Sequence, residues 1–381
     1  MSNKPRILYM LHNPFIRCGT ELHTKALFEG LKHKYDTWLV YPKGDSLFLT
    51  NDGQTAYKYA ADPIRRPIMP VSAPLTSQSL QAVFARVQPD LIHIQHFCNW
   101  PVDVLDQVTA NGRPVVLSLH DYYAITPAFT MMGVDDPGVT LSTDYSSSVF
   151  GMDISGFLSQ RRGILHESLG RVSEIVVPSG FLAKVMGTIF PYEYKIIPHG
   201  IYDYAPVPKN TSRDMFIFGF VGHLIPPKGW ETLVQAFPLV KERFPQTELH
   251  LFGSPRPENA DVQGIVYHGR YDQGDLPNIF SRMDVAIIPS IFAEPFCLVL
   301  SEAWMAGCPV AVSDIGALGD RVEDGVNGRK FRAGDVSAIQ DALDWFLQHD
   351  DWKTWKIEKP KTVEQMWDDY DRLYERKLVL A

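Results

Sequence analysis

The chain has 381 residues, of which 45% are hydrophobic and 21% charged, and its formal net charge is −8. This composition is typical of a globular protein, and chains longer than about 250–300 residues usually divide into domains, so we expect two. Residues 1–200 carry as many basic as acidic residues, so the negative excess falls on residues 201–381. Neither half is basic, which argues against a nucleic acid partner, whereas a neutral first half is compatible with an anionic membrane surface.

The four cysteines, Cys18, Cys98, Cys297 and Cys308, show neither a CxxC pair nor metal-ligand spacing, as expected in a reducing cytoplasm. The N-terminal MSNKPRILYML goes directly into a strand-like run and lacks the apolar region and cleavage site of a signal peptide. No stretch approaches the roughly 18 apolar residues of a membrane span. We therefore expect a cytoplasmic protein, with peripheral association at the inner face of the membrane left open.

Strand-like apolar runs alternate with helix-like segments along the chain. This alternation predicts doubly wound parallel sheets, one in each half. The runs of the first half are RILYML, TWLVYP, LIHIQHF, PVVLSLHD, EIVVPS and KIIPHG, and those of the second are FIFGFVGHL, ELHLFGS, GIVYHG, VAIIPS and PVAVSD. We expect helices at residues 20–33, 75–87, 229–244 and 338–348, and an irregular loop at residues 132–155.

The stretch EPFCLVLSEAWMAGCPVAVSD contains two glutamates, Glu294 and Glu302, with seven residues between them. Because Pro295 prevents a helix from running through this point, Glu294 is expected in a loop. A helix is expected from Cys297 to Gly307, followed by a buried parallel strand. Glu294 would then lie near a helix N-terminus, which favours phosphate, and Glu302 could accept hydrogen bonds from sugar or ribose hydroxyls.

This arrangement, EPF…SEA…GxPV after a strand that ends in IPS, resembles the E-x7-E signature of retaining glycosyltransferases, most closely glycosyltransferase family 4. The resemblance implies an α/β protein of the GT-B fold, with two Rossmann-like doubly wound parallel-sheet domains facing an interdomain cleft. It implies an acceptor-side domain at residues 1–198, to which a C-terminal helix at 363–381 returns, and a nucleotide-sugar donor domain at 199–362. The Pro-rich connector IIPHGIYDYAPVPKN marks the change of domain. An ordinary βαβ unit with two surface glutamates is the alternative.

The segment FVGHLIPPKGW is similar to the family pattern Phe-Val-Gly-Arg-Leu followed by Lys-Gly. The resemblance implies that Lys228 binds the donor diphosphate and stabilises it as the leaving group. His223 stands where the family usually has arginine, and its imidazole is neutral near pH 7 unless the diphosphate raises its pKa. An exposed Lys-Gly turn is the alternative for Lys228.

Two segments of the first half also resemble the family. Cys18-Gly19-Thr20-Glu21 keeps one glycine of a usual Gly-Gly-x-Glu, and Gly19 would let the backbone approach the donor diphosphate. His120 ends the strand of LSLHDYY, where the family has a histidine that faces the transferred sugar. A structural turn glycine and a histidine satisfied within a turn are the alternatives, and His96 is a weaker candidate for the same site.

The remaining donor-binding candidates act through the backbone. In YHGRYD, relatives hold the nucleotide base around Arg270 and Tyr271, and backbone contacts do not encode which base is bound. The amides of Phe296, Cys297 and Leu298 could bind sugar hydroxyls or phosphate. Cys297 stands where many relatives have glycine, which leaves the width of the pocket and the identity of the sugar open.

The resemblance predicts a hexosyltransferase that moves a sugar, with retention, from a UDP- or GDP-sugar to a hydroxyl of a glycan, glycolipid or lipid-linked acceptor in surface polysaccharide synthesis. It implies a front-face displacement in which Glu294, His120 and Lys228 act at the reacting sugar and diphosphate, and Glu302 binds the ribose. No cofactor is expected. No metal is expected either, because no residues have metal-ligand spacing and Asp369-Tyr370-Asp371 is expected on a solvated helix face.

Two alternatives remain open at this point. One stays within the fold: a sugar-nucleotide epimerase or a phosphorylase. The other is a two-domain binding protein without turnover. The dinucleotide-binding pattern GxGxxG is absent, which weighs against a dehydrogenase. The basic stretch at residues 160–171 is expected to be a solvated face, with contact to a membrane or acceptor as its alternative.

Overall fold

In the computed structural model of the chain, the described residues are 4–15, 18–54, 56–64, 68–110, 112–130, 150–204, 207–208, 214–255 and 262–380. They form two compact units. Unit 1 contains the described residues up to Gly200 together with those from Val363 onward, and unit 2 contains those within Ile201–Thr362. Most of the loop predicted at residues 132–155 lies outside the described residues.

Unit 1 is built on an eight-stranded sheet. Its strands are β1 (Arg6–Met10), β2 (Asp36–Lys43), β3 (Ser46–Thr50), β4 (Tyr57–Ala60), β5 (Leu91–Ile94), β6 (Val115–Ser118), β7 (Glu174–Val177) and β8 (Lys195–Ile196). They lie in the order β4-β3-β2-β1-β5-β6-β7-β8. Its helices before the chain enters unit 2 are α1 (Gly19–Gly30), α2 (Pro74–Val87), α3 (Val104–Thr109), α4 (Ser155–Leu169) and α5 (Gly180–Ile189).

One edge of this sheet differs from the wholly parallel sheet that the apolar runs predict. Strands β3 and β4 pair antiparallel, β3 with β2 and β4 with β3. A two-residue link, Gly44-Asp45, joins β2 to β3, and Gly44 has φ +64°, a conformation that glycine adopts without strain. Short glycine-containing links of this kind are typical of hairpins, so the sequence does carry a signal for this hairpin.

Unit 2 is built on a six-stranded sheet in which every pairing is parallel. Its strands are β9 (Phe216–Val221), β10 (Thr247–Phe252), β11 (Ile265–Gly269), β12 (Val285–Ile288), β13 (Val310–Ser313) and β14 (Arg329–Phe331). Their order is β11-β10-β9-β12-β13-β14, so the winding reverses between β9 and β12. Ligands of such sheets bind beyond the carboxyl ends of the strands at this reversal.

Helices cover both faces of the unit 2 sheet. They are α6 (Trp230–Arg243), α7 (Leu276–Ser281), α8 (Leu298–Met305), α9 (Gly316–Arg321) and α10 (Val336–Gln348). Along β9, Phe218 packs in an apolar cluster with residues of α6 and α10, whereas Ile217 packs in the cluster that contains residues of α7 and α8. Because both faces of the strand are buried, its sequence is continuously apolar rather than alternating.

The chain returns to unit 1 as helix α11 (Val363–Val379). Its buried residues, Val363, Met366, Tyr370, Leu373 and Tyr374, recur at helical spacing and pack in the same cluster as Ile7 and Tyr9 of β1. Trp367 also packs closely, since a Cβ at Gly30 would lie 2.1 Å from its ring.

The sequence around Tyr370 was expected on a solvated helix face, and this expectation is wrong. Tyr370 is 1% exposed. The carboxylate of Asp371 accepts hydrogen bonds from Lys34 Nζ at 2.5 Å and from Tyr35 Oη at 2.6 Å. This part of α11 therefore serves packing within unit 1.

The basic stretch at residues 160–171 is also only partly solvated. Most of it lies in α4, where Arg161 is 2% exposed and donates hydrogen bonds to the carbonyls of Tyr123 and Ala124. The guanidinium therefore fixes the loop that follows β6. Among the described residues, no helix is both long and apolar enough to cross a bilayer.

The architecture of two α/β units, each on a predominantly parallel sheet, confirms the predicted fold class. Helices α1, α2, α6 and α10 lie at the positions predicted from apolar spacing, with ends that differ by at most three residues.

Candidate active site

In unit 2, the loops after β9 and β12 lie side by side at the carboxyl edge of the sheet. Ile291 N donates to Pro227 O at 3.0 Å, which ties the two loops together. Gly229 has φ +66°, and a Cβ there would lie 1.8 Å from Pro289 O. The glycine after Lys228 is thus required both by its backbone conformation and by the close approach of the neighbouring loop.

These loops bring two predicted residues into direct contact. Lys228 Nζ lies 2.7 Å from Glu294 Oε1, and Ser290 Oγ donates to the same oxygen at 2.7 Å. Glu294 is 4% exposed, whereas the side chain of Lys228 keeps 30% of its accessible surface. The ammonium is therefore held by a buried carboxylate while still reachable by a ligand.

Arg270 adds positive charge near Lys228, and His223 lies close to both. His223 and Arg270 are exposed at the surface. Partial desolvation of the imidazole lowers the pKa of His223, and the nearby positive charges of Lys228 and Arg270 lower it further. His223 is therefore neutral at pH 7 in the unliganded protein, and a bound diphosphate would raise its pKa.

Glu302 lies inside α8, as its position in the sequence predicts, and it is 7% exposed. Burial raises the pKa of its carboxyl from 4.5 to about 7. Tyr204 Oη donates to the backbone carbonyl of Glu302 at 2.8 Å. The pKa of Tyr271 is raised mainly by burial and to a smaller extent by the negative charge of Glu302. Glu302 thus carries a carboxyl group that is partly protonated near neutral pH, beside the segment that contains Tyr271.

The loop between Glu294 and α8 has an unusual backbone. Cys297 precedes the helix with φ +65° and ψ 94°, a region that side chains other than glycine seldom occupy. Phe296 and Cys297 are buried, and Leu298 begins the helix. The first amides of a helix have no partner within it, so this turn is suited to bind oxygen atoms of a ligand.

Burial makes the thiol of Cys297 unreactive. Burial raises its pKa to about 12, and the thiolate is the reactive form.

Cys18 is exposed, whereas Cys98, Cys297 and Cys308 are buried. We expect one thiol to react rapidly with Ellman's reagent in the native protein, and Cys18→Ser to remove that phase. A rapid phase that persists in Cys18→Ser would contradict the burial of the other three.

In unit 1, His120 follows β6 and belongs to a buried histidine cluster that we define as His23, His120 and His199. His120 Nε2 lies 3.1 Å from Gln95 Oε1, and its Nδ1 lies 3.5 Å from His199 Nε2. His199 Nδ1 in turn lies 2.8 Å from His23 Nδ1. Because Gln95 Oε1 accepts, Nε2 of His120 carries the proton. Burial, followed by the neighbouring histidines, holds the pKa of His120 well below its usual value, so the ring is neutral.

Several polar atoms near the histidine cluster lack partners. Gly19 begins α1, and Glu21 of the same helix accepts from His12 Nε2 at 2.9 Å. At this end of unit 1, three buried side-chain atoms have no hydrogen-bond partner among the described residues: His12 Nδ1, Glu21 Oε2 and His23 Nε2. Buried polar atoms are seldom left unpaired, so this end of unit 1 is suited to a ligand rich in hydroxyl groups. His96, the weaker candidate, lies nearby with Nε2 3.2 Å from Asp121 Oδ2.

The sequence did not single out several residues of these sites. Ser290 and Arg321 contact the loop around Glu294, and Gln95, His23 and His199 surround His120. His199 had a usable signal, since it follows a strand-like run in the motif IIPHG. Among the described residues, no group of three His, Cys, Asp or Glu side chains is placed to hold a metal ion.

Comparison with known proteins decides the family. Residues 216–349 match the family described as glycosyl transferases group 1, and residues 18–203 match glycosyltransferase family 4. The chain belongs to the family 4 glycosyltransferases. The predicted family is therefore confirmed.

This glycosyltransferase is 28% identical over 246 residues to a phosphatidyl-myo-inositol mannosyltransferase of Mycobacterium leprae, an alignment that covers 62% of this chain and 64% of that protein. The chain spans between 49% and 64% of the length of such curated relatives.

Solved structures resemble the glycosyltransferase over nearly its whole length. A sucrose-phosphate synthase from Thermosynechococcus elongatus superimposes with a TM-score of 0.72 at 18% identity, covering 99% of this chain and 100% of that one. HepE from Anabaena in complex with UDP-glucose gives a TM-score of 0.64 at 17% identity, covering 97% and 99%. These likenesses show that the fold is GT-B, as predicted.

Proposed function

We propose that this family 4 glycosyltransferase transfers a hexose from a nucleotide diphosphate donor to a hydroxyl group, with retention of the anomeric configuration and without a metal ion. The observation that carries the proposal is the contact between Lys228 and Glu294 at the reversal of the unit 2 sheet, with Glu302 in the helix that follows. One cation, one carboxylate and one partly protonated carboxyl match a ligand made of phosphate, sugar and ribose.

The donor would bind to unit 2. Its diphosphate would attract Lys228 and raise the pKa of His223, so both side chains would carry positive charge against it. Glu294 would then accept hydrogen bonds from sugar hydroxyls. Glu302 would lose its proton and accept hydrogen bonds from the ribose. The segment at Arg270 and Tyr271 would hold the base, and the amides of Phe296, Cys297 and Leu298 would bind sugar or phosphate oxygens. UDP-sugars are the first donors to test, since HepE is solved with UDP-glucose.

Unit 1 would bind the acceptor. The unpaired atoms of His12, Glu21 and His23 can hydrogen-bond the hydroxyls of a glycan or lipid headgroup, and neutral His120 can accept a hydrogen bond from the transferred sugar through Nδ1. Gly19 leaves room for a diphosphate near the start of α1. A lipid-linked acceptor of surface polysaccharide synthesis is consistent with the lipid named for the mannosyltransferase relative, and would place the enzyme at the inner face of the membrane.

The reaction would be a front-face displacement. The bond from the anomeric carbon to the diphosphate oxygen breaks, and the electron pair goes to that oxygen. The acceptor oxygen bonds to the anomeric carbon from the same face, while its proton passes to the departing phosphate oxygen. Lys228 stabilises the charge that develops on the diphosphate, and no protein base is needed.

Binding of a nucleotide tests the proposal. We expect one of UDP, GDP or ADP to raise the unfolding midpoint temperature without Mg²⁺. A ligand present at about 100 times its Kd raises the free energy of unfolding by about 2.7 kcal/mol. Lys228→Met should weaken that binding by tenfold or more, because a hydrogen bond to a charged group contributes about 1.5–3 kcal/mol.

Lys353→Met is the matched control, since Lys353 is an exposed lysine of the same unit that is ion-paired with Asp350. It should bind the nucleotide as the parent protein does. If none of the three nucleotides binds the parent protein, the donor assignment is wrong and a binding protein for another ligand becomes the better hypothesis. Release of the same nucleoside diphosphate from its sugar in the presence of an acceptor would separate a transferase from an epimerase.

A further inference from the structure

Arg321 lies at the end of α9, directly behind the loop that leads into α8. Its Nη1 donates to the carbonyl of Phe296 at 2.6 Å and to that of Cys297 at 3.2 Å, and its Nη2 donates to Ser301 Oγ at 2.6 Å. No carboxylate of the described residues forms an ion pair with it. The guanidinium thus binds the backbone of one short segment instead of an acidic side chain.

Aromatic rings fix the guanidinium from the sides. Its central carbon lies 4.1 Å from the ring centre of Phe296 and 5.4 Å from that of Trp304. Burial lowers the pKa of Arg321 to about 10, so the group stays charged at neutral pH. A planar, charged fork held between rings has little freedom to leave the two carbonyls.

The direction of these carbonyls sets the direction of two amides. In a trans peptide unit the C=O bond and the following N–H bond lie in one plane and point in opposite directions. Because the carbonyls of Phe296 and Cys297 point to Arg321, the N–H groups of Cys297 and Leu298 point away from it. Both amides lie at the N-terminal turn of α8, three and four residues after Glu294.

The same contacts account for the backbone of Cys297. Its φ of +65° is unfavourable for a residue with a Cβ, and such a conformation persists only where surrounding contacts impose it. Arg321 binds the carbonyls on both sides of this residue's α-carbon. Its charge also lies behind the positive end of the helix, where it adds to the attraction for an anion.

We propose that Arg321 is a positioning residue of the donor site: it turns the amides of Cys297 and Leu298 toward the oxygens of the nucleotide-sugar and does not itself touch the ligand. This inference rests on the proposed function. Arg321 would otherwise be interpreted as an arginine that binds the phosphate directly.

The test uses the nucleoside diphosphate that binds the parent protein. Arg321→Ala should raise its Kd by tenfold or more, and methylguanidinium at millimolar concentration should restore most of that loss by entering the space left between Phe296 and Trp304. Arg321→Lys should fold but bind weakly, because one ammonium cannot reach both carbonyls and Ser301 as the guanidinium does. A lost packing contact alone would not be restored by a small cation.

Arg329→Ala is the matched control, since Arg329 also lies over an aromatic ring, that of Trp345, and pairs with Asp324. Its Kd should stay at the parent value with or without methylguanidinium. If the parent binds the nucleotide and folded Arg321→Ala or Arg321→Lys binds it equally well, the inference is wrong and the proposed function stands. If the parent binds no nucleotide, both are overturned.

Discussion

Glu302→Gln is expected to stabilise the protein at pH 8 and to have little effect on stability at pH 5. The carboxyl of Glu302 has its pKa raised from 4.5 to about 7 by burial. The folded state therefore holds this proton more tightly than the unfolded state, and stability is lost as pH rises from about 4.5 through 7. The difference corresponds to about 3 kcal/mol, which the uncharged glutamine avoids.

Unfolding midpoints of the parent and of Glu302→Gln at pH 5 and pH 8 measure this effect. Glu358→Gln is the control, because Glu358 is an exposed glutamate of the same unit. The variant should also bind the nucleotide tenfold or more weakly, since an amide offers the ribose one acceptor atom instead of two. A stability gain that is equal at both pH values would mean that Glu302 is ionised in the folded protein throughout this range.

Gly229→Ala is expected to lower both stability and nucleotide affinity. An alanine at φ +66° is strained, and its Cβ would lie 1.8 Å from the backbone oxygen of Pro289, which cannot move without shifting the loop that carries Glu294. Backbone strain and overpacking together should lower the free energy of unfolding by about 3 kcal/mol. Displacement of that loop would separate Glu294 from Lys228, so the nucleotide Kd should rise at least tenfold.

The unfolding midpoint and the Kd of each glycine variant test this expectation. Gly274→Ala is the control, because no atom lies within 4 Å of a Cβ placed there. It should leave both quantities unchanged. An unchanged midpoint for Gly229→Ala would show that the two loops do not approach each other as closely as the structure indicates.

The sequence predicted the parts of the fold that depend on local patterns. Continuous apolar runs such as FIFGFV identify strands buried on both faces, and the proline after Glu294 identifies the loop before α8. The positions of Lys228 and Glu294 at strand ends follow from the same runs. Their contact also follows, once the strand order places β9 beside β12.

Other features depend on contacts between distant segments, which no local pattern encodes. Arg321 occupies a helix end that gives no sign of the carbonyls it binds, and the histidine cluster joins residues from three separate segments. The hairpin of β2 and β3 was not predicted, although its second strand, SLFLT, directly follows a Gly-Asp link. The solvated face expected around Tyr370 was wrong because charged neighbours concealed a buried aromatic residue.

Helix α11 has a consequence for the order in which the protein can fold. The described residues of unit 2 all fall within one stretch of the chain, Ile201–Thr362, whereas the core of unit 1 includes residues made after that stretch. During translation, the partners of Tyr374 and Trp367 in unit 1 emerge from the ribosome first and must wait for them. The residues of β1 therefore reach their final packing after unit 2 has left the ribosome, so unit 1 depends longest on protection from aggregation.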